Sequence, residues 1–530
     1  MNKNGKCVDP VQEWNFKRYG IPMSWALDAP PSNATNELAN IHAGIQEWLA
    51  STNHGFMSPR INVFVHGGLN AYATSLARLR DSNLMSGLEA SNCYPIFIVW
   101  NSGMISSYAQ HLLSIRQGEE HHIIARFTSP FVLISDLAVG VARLPQTYVG
   151  RIYNDFRATE LTRDSQEEHF ADDIYGGWAK HTHWEGLYDF QDPTAKWEGF
   201  EMMIHSMETN YHNPLPEGGK RGHPDRITHY AEYIVTTPTK IVTLPIIDGL
   251  GTEAWAVMQR RTQTMFNRPT TYDIYDKLTK WHTDVPTNPV NFNSVSNWLN
   301  SGKSGAMYAF AGSVVDWQNP TNGLRTGAGQ PVPFDFCGHS MGTMVLNELF
   351  RRNPEIQASN IVYLAAACSV RDFEISMFPY LVTNPGTQFY NISLHRMRER
   401  DEYCLGELEG SPSFGWLSHV YFVRDLTVRG SLLNWIDDIF QKPNTIPERT
   451  MGAWENITRT LPDIPIGLRP QIHLRGCDVE PLNAFDPFGK LGRLNGEFEP
   501  QNHGDFTRSV YWSPAFYWPD GTNSLPLRDE

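Results

Sequence analysis

The chain has 530 residues, 41% hydrophobic and 19% charged, a balance that fills a large core and excludes intrinsic disorder. Its 43 Lys and Arg against 57 Asp and Glu leave a net charge of −14, and no basic run forms a stripe, which argues against nucleic acid as a partner. At about 150 residues per domain, the length sets a prior of roughly three or four domains.

From the N-terminus, residues 1–57 read as an extension with the first strands. The opening MNKNGKCVDPVQEWNF has no apolar core and does not read as a signal peptide. Ile61–Val65 (INVFV) and Tyr94–Trp100 (YPIFIVW) are short β-branched runs of the kind buried on both faces of a parallel sheet. A helix is expected over Ser106–Ile115. Between Trp100 and Pro333 lie more than 200 residues, far beyond an ordinary crossover, and 119–300 reads as an inserted subdomain, too apolar for a linker. It holds a helical pattern over Gly251–Phe266. Its most apolar stretch, Phe131 to Leu144, is broken by Asp136 and Arg143 and falls short of the roughly 20 apolar residues of a membrane span, so no transmembrane segment is expected.

Further along, Pro333–Cys337, Asn360–Ala366, Phe389–Leu394 and Gln471–Leu474 read as strands. Met341–Arg352 reads as a helix, as does Phe373–Leu381, limited by Pro379. A smaller insertion before Gln471 carries Ser431–Phe440, an amphipathic short helix. Strands alternating with helices predict an α/β fold, a doubly wound, mostly parallel sheet with a large inserted subdomain. Six cysteines, at positions 7, 93, 337, 368, 404 and 477, include no CxxC pair. Those at 93, 337 and 368 lie in or beside apolar runs, as small buried hydrophobes do. A reduced, cytoplasmic protein is expected, with signal-free secretion as the alternative.

The strongest local signal is Gly338-His339-Ser340-Met341-Gly342, a G-x-S-x-G after a strand and before a helix. A serine on such a sharp turn has its hydroxyl held clear of the sheet with a helix N-terminus behind it, and the glycines admit close backbone neighbours. Upstream, Ile61–Val65 runs into His66-Gly67-Gly68-Leu69. A His-Gly-Gly turn after a strand can supply a second backbone donor for an oxyanion, from the N–H of Gly68 or Leu69, beside that of Met341. His66 is expected to hydrogen-bond within this turn, and His339 to pack locally.

FVHGG (64–68), CGHSMG (337–342) and a late histidine together resemble the α/β-hydrolase superfamily, over about 58–118 and 301–530. The resemblance implies a Ser–His–acid triad. His503, in Asn502-His503-Gly504-Asp505, is the one histidine after the last strand run and would be the base; His395 and His419 precede that run and read as structural. The acid would follow Phe389–Leu394, which points to Asp401 in the run Arg398 to Glu402. Asp372 is the main rival, Glu399 and Glu402 are weaker ones, and the run can also be a solvated charge cluster. The long insert departs from the family pattern, whose lids follow the elbow.

No cofactor is implied. His121-His122, and His181 and His183 with Glu185, offer fewer ligands than a closed zinc site takes. Gly302-Lys303-Ser304 lacks the preceding glycine of a phosphate loop. The expected function is that of a serine hydrolase cleaving a small-molecule or lipid carboxylic ester through an acyl-enzyme, lipase- or carboxylesterase-like. Thioesterase or amidase chemistry uses the same triad, and a non-catalytic member using its insert as an interaction platform is a further alternative. Trp178, Trp184, Trp197, Trp255, Trp281 and Trp298 either line a pocket or form the insert's own core.

Overall fold

The computed structural model describes residues 31–50, 58–68, 92–98, 100, 102–116, 119–120, 122–147, 223–266, 306–394, 399, 402, 430–441, 446–453, 456, 464–476, 500 and 503–507. Six strands, β1 (Arg60–Val65), β2 (Cys93–Ile98), β3 (Phe334–His339), β4 (Asn360–Leu364), β5 (Gln388–Ser393) and β6 (Ile472–Gly476), lie in the order β2-β1-β3-β4-β5-β6. The sheet is parallel, with β1 pairing β2 on one side and β3 on the other, and β3 pairing β4. All residues of β2, β3 and β4 are buried, as strands covered on both faces require. The chain leaves β1 toward β2, returns, and winds outward the other way from β3. The winding direction therefore reverses between β1 and β3, and in such sheets the crevice outside the carboxyl ends at the reversal is where ligands bind.

The described helices are α1 (Pro31–Ala50), α2 (Met104–Leu113), α3 (His122–Thr147), α4 (His223–Thr264), α5 (Ala306–Gln318), α6 (Gly342–Arg352) and α7 (Val370–Thr383). Where strands were expected before residue 57, residues 31–50 are helical. Pro379 does not end α7, which continues to Thr383. The turn beyond the proline is anchored by the buried Tyr380 and Leu381, and the Tyr380 hydroxyl donates to Ile356 O at 2.8 Å and accepts from Ala358 N–H at 3.1 Å. These contacts offset the lost backbone bond. α4 is far longer than the expected 251–266, because Pro238 and Pro245 lie inside it without breaking it.

The chain forms two compact units. The first comprises Met1–Ile134, Glu253–Phe389 and Thr507–Glu530. Its core joins Phe336, Phe350 and Tyr380, with ring centroids 5.0 and 4.5 Å apart along that series. At the amino ends of the strands, buried Asp335 takes a two-pronged bond from Arg60 at 2.6 and 2.7 Å and another from Asn360 at 2.7 Å. All the charge in this pair is met by a partner, as burial demands. In α6, Glu348 is paired with Arg351 and, at 2.7 Å, with Arg352. Burial pushes its carboxyl up, but the two guanidinium groups outweigh this and hold it down at about 2.

The second unit comprises Ser135–Thr252 and Tyr390–Phe506. In it α3 and α4 meet at glycines: a Cβ on Gly140 would overlap the Pro245 carbonyl, and one on Gly249 the Asp136 carbonyl. Asp248 is buried and takes Arg143 at 3.4 Å. The expected absence of a transmembrane segment is not supported, since Ile123–Thr147 and Thr237–Gln263 are both long and apolar enough to cross a bilayer by composition; Arg143, counted as an interruption, has its counter-ion in the neighbouring helix. The segment expected as one short helix over 431–440 is instead one α turn, Leu432–Trp435, capped by Ser431, followed by a π turn, Ile436–Phe440. The π turn carries buried Asp437, which accepts from Thr450 N–H at 2.7 Å and from Asn456 at 2.7 Å. Burial raises its carboxyl pKa to about 7.

Candidate active site

The loops after β1 and β3 meet at the winding reversal. Ser340 follows β3 directly with φ of 52°, a left-handed conformation that a side chain with a Cβ adopts only under constraint, at a cost of about 1–3 kcal/mol. The constraint is visible. Ser340 N–H donates to Leu364 O at 2.8 Å, and Ser340 O accepts from Thr343 N–H at 3.1 Å, the Thr343 hydroxyl at 2.7 Å and Ala367 N–H at 3.1 Å. Four bonds from β4, its following loop and α6 thus over-determine one residue. The Ser340 hydroxyl is buried and, among the described residues, makes no hydrogen bond. A buried hydroxyl left unbonded costs free energy, and such groups concentrate where chemistry needs them. Met341 stands at the N-cap of α6 with helical backbone angles, so its N–H shares the helix's positive end.

Glycines permit this approach. A Cβ on Gly67 would stand 2.7 Å from Ser340 Cβ and 2.8 Å from His339 Nδ1, and one on Gly68 2.5 Å from Met341 Sδ. A Cβ on Gly342 would overlap the Val65 carbonyl, and one on Gly338 would lie 3.0 Å from Thr343 N. The His-Gly-Gly turn and the G-x-S-x-G turn are therefore packed against each other.

His66 fixes the first of these turns. Its Nε2 accepts from Trp100 N–H at 3.0 Å and its Nδ1 stands 2.7 Å from Gly67 O. A neutral ring with the proton on Nδ1 satisfies both contacts. Ser102 donates a second bond to Gly67 O at 2.9 Å. In a trans peptide the N–H points opposite the carbonyl, so anchoring Gly67 O sets the direction of Gly68 N–H. Sequence reasoning expected the local bond of His66 and missed Trp100 and Ser102, whose only signal is their position just after β2. His339 is buried beside the turn, as expected.

Asp372 belongs to the same unit. It lies in the first turn of α7, capped by Ser369, and its carboxylate accepts from Asn347 of α6 at 2.5 Å. Asn347 in turn accepts from the Tyr363 hydroxyl.

His503 belongs to the second unit and opens a short 3-10 turn, His503–Thr507. It is buried, and burial pushes its imidazole down to about 4, leaving the ring neutral at pH 7. Its backbone N–H donates to Glu402 Oε2 at 2.9 Å. Carbonyls of Glu399 and Glu402 accept from Ser431 N–H at 2.7 Å and Gly430 N–H at 2.6 Å. Glu399 is only 3% exposed, so the run around Asp401 is not a purely solvated cluster. The structure thus brings Glu402 to the His503 turn.

Asp401 and Leu69 lie outside the described residues, as do His121, His181, His183, Glu185, His395, His419 and five of the six insert tryptophans. The sixth, Trp255, is a core residue of α4, 2% exposed. No group of three or more His, Cys, Asp or Glu able to hold a metal stands together among the described residues. Cys93, Cys337 and Cys368 are free and buried, as expected; burial pushes the Cys93 thiol up to about 12. Comparison with family models, curated proteins and solved structures finds no match to the chain. The structure defines an α/β protein with a parallel sheet and a strained serine at its winding reversal.

Proposed function

We propose that the protein is a serine hydrolase of the α/β-hydrolase type that cleaves carboxylic esters, as lipases and carboxylesterases do. The observation that carries this reading is Ser340: a left-handed, buried serine between a strand and a helix, its hydroxyl unbonded among the described residues and the His66-Gly67-Gly68 turn packed against it. Strain kept at a residue whose hydroxyl serves no hydrogen bond among the described residues fits a nucleophile better than a structural turn.

In the proposed reaction Ser340 Oγ attacks the ester carbonyl while His503 takes its proton. The negative charge on the former carbonyl oxygen is met by Met341 N–H and by the N–H of Gly68 or Leu69. His503 then protonates the departing alcohol, and afterwards draws a proton from the water that releases the acid. Asp401 holds the imidazole in the required tautomer. The neutral state of His503 suits a base, and the contact of Glu402 with the His503 turn supports an acid from this segment.

The test is hydrolysis of short and long p-nitrophenyl esters by the purified chain and by Ser340→Ala. The variant should fold and lose at least about a thousand-fold in kcat, since triad members act as one unit. Undiminished turnover in the variant would overturn the scheme.

A further inference from the structure

Glu402 meets the His503 turn through its side chain and a buried helical turn through its backbone. The N–H that opens a helical turn has no acceptor inside it. In the turn His503–Thr507 that first N–H, on His503 itself, is taken by Glu402 Oε2 at 2.9 Å, from a residue 101 positions earlier in the chain. Phe506, in the same turn, is fully buried. The turn is therefore pinned at its first amide and again at Phe506, and His503 lies at the bonded end.

Glu402 is itself held. Its carbonyl accepts from Gly430 N–H at 2.6 Å, and the Glu399 carbonyl accepts from Ser431 N–H at 2.7 Å. Ser431 caps the short helix Leu432–Trp435, accepting from Asn434 N–H at 3.4 Å, and Leu432, Leu433 and Trp435 are at most 3% exposed. Packing thus fixes Gly430 and Ser431, and their amides fix the backbone at Glu402 and Glu399. The Glu402 carboxylate carries that placement to His503. All these groups belong to the second compact unit.

We propose that Glu402 is a positioning residue for His503, setting the place of the imidazole by gripping the backbone amide of the same residue. The inference rests on the hydrolase reading, in which His503 is the base. It gives Glu402 a part distinct from that of the triad acid. The acid bonds to the ring and stabilises its charged form, whereas Glu402 Oε2 bonds to the main chain. That part needs an oxygen at the right place, with or without its negative charge. A general base works only within hydrogen-bond reach of the proton it removes, so a shift of about 1 Å in the ring is enough to cost up to about a hundred-fold in rate.

Steady-state hydrolysis of p-nitrophenyl esters by the full chain tests this, comparing wild type, Ser340→Ala, Glu402→Gln and Glu402→Ala, with circular dichroism to verify the fold of each. Glu402→Gln keeps an acceptor oxygen without the charge and should hold kcat within about three-fold of wild type. Glu402→Ala should lower kcat by about ten- to hundred-fold, with KM within about two-fold of wild type. A bond that serves stability alone would lower the urea midpoint of Glu402→Ala and leave the kcat of the folded protein unchanged, which would overturn the proposal. So would a loss in Glu402→Gln as large as that in Glu402→Ala, since the charge would then be essential and Glu402 would take the acid's part. If Glu402→Ala does not fold, Glu402→Leu, which fills the space without an acceptor, replaces it on the same criteria; failure of both to fold would assign the bond to stability and overturn the proposal. Should the wild type hydrolyse no ester, or Ser340→Ala lose no activity, the hydrolase reading falls and this inference with it. Turnover that depends on Ser340 and is indifferent to Glu402 would overturn this inference alone.

Discussion

Ser340 concentrates most of what can be argued at the scale of single residues. Its backbone angle, its four backbone anchors and its unbonded hydroxyl form one arrangement, and the five-residue motif was legible because strand and helix flank it in the right order. The acid was less legible: Asp372 and Asp401 each follow a strand, and residue type alone cannot separate them. The structure shows Asp372 engaged by Asn347 and Glu402, next to Asp401 in sequence, bonded to the His503 turn. Asp401→Asn should therefore lower kcat by roughly a thousand-fold or more, as a wrongly held imidazole tautomer does. Asp372→Asn should leave kcat within about ten-fold, because an amide oxygen can accept the same bond from Asn347. Steady-state kinetics decide, and reversal of the two results would assign the acid to the earlier strand.

Among the elements, glycines show how two turns distant in sequence become one site. Gly342→Ala would drive a methyl into the Val65 carbonyl, and neither β1 nor α6 can yield without repacking, so a loss of about 1–3 kcal/mol is expected. Gly312 offers the opposite case: it lies exposed within α5 with nothing near its missing Cβ, and Gly312→Ala should add about 0.5–1 kcal/mol. Urea midpoints of both variants check the pair, and equal signs would contradict the packing described. All six strands of the parallel sheet were legible to within about two residues because short apolar runs between turn signals have few other uses, whereas the two-residue strands Ile115–Arg116 and Glu119–Glu120 left no such run. The long helices α3 and α4 were not, since prolines at 130, 145, 238 and 245 ordinarily break a helix, yet here they lie within the two helices. Asp437 left no signal at all, because nothing in a sequence marks a carboxylate that a π turn will bury.

For the whole molecule, buried titratable groups set how stability varies with pH. His503 and His473 have imidazoles pushed by burial from 6.5 to about 4. Between those values the unfolded chain binds protons that the folded one refuses, so each contributes stability that is complete above 6.5 and lost as pH falls toward 4, by about 1.4 kcal/mol per unit. Asp437, raised from 3.8 to about 7 by burial, works the other way, its contribution lost as pH rises from 3.8 through 7. Two histidines against one aspartate leave a net gain from pH 4.5 to 6.5, after which the remaining aspartate effect gives a slight decline. Glu348, held near 2 by its two arginines against the opposing effect of burial, adds a further loss only below 4.5. Thermal midpoints across this range should rise to about pH 6.5, and a steady fall over the same interval would contradict the burial of both histidines.

The claim on which the functional account turns is that Ser340 is an activated nucleophile, and fluorophosphonate labelling of the full chain followed by peptide mass spectrometry tests it most directly. The account predicts one labelled peptide, modified at Ser340, formed at neutral pH and abolished both in Ser340→Ala and in His503→Ala. An unlabelled wild-type chain, or a label that persists in folded Ser340→Ala, would contradict it.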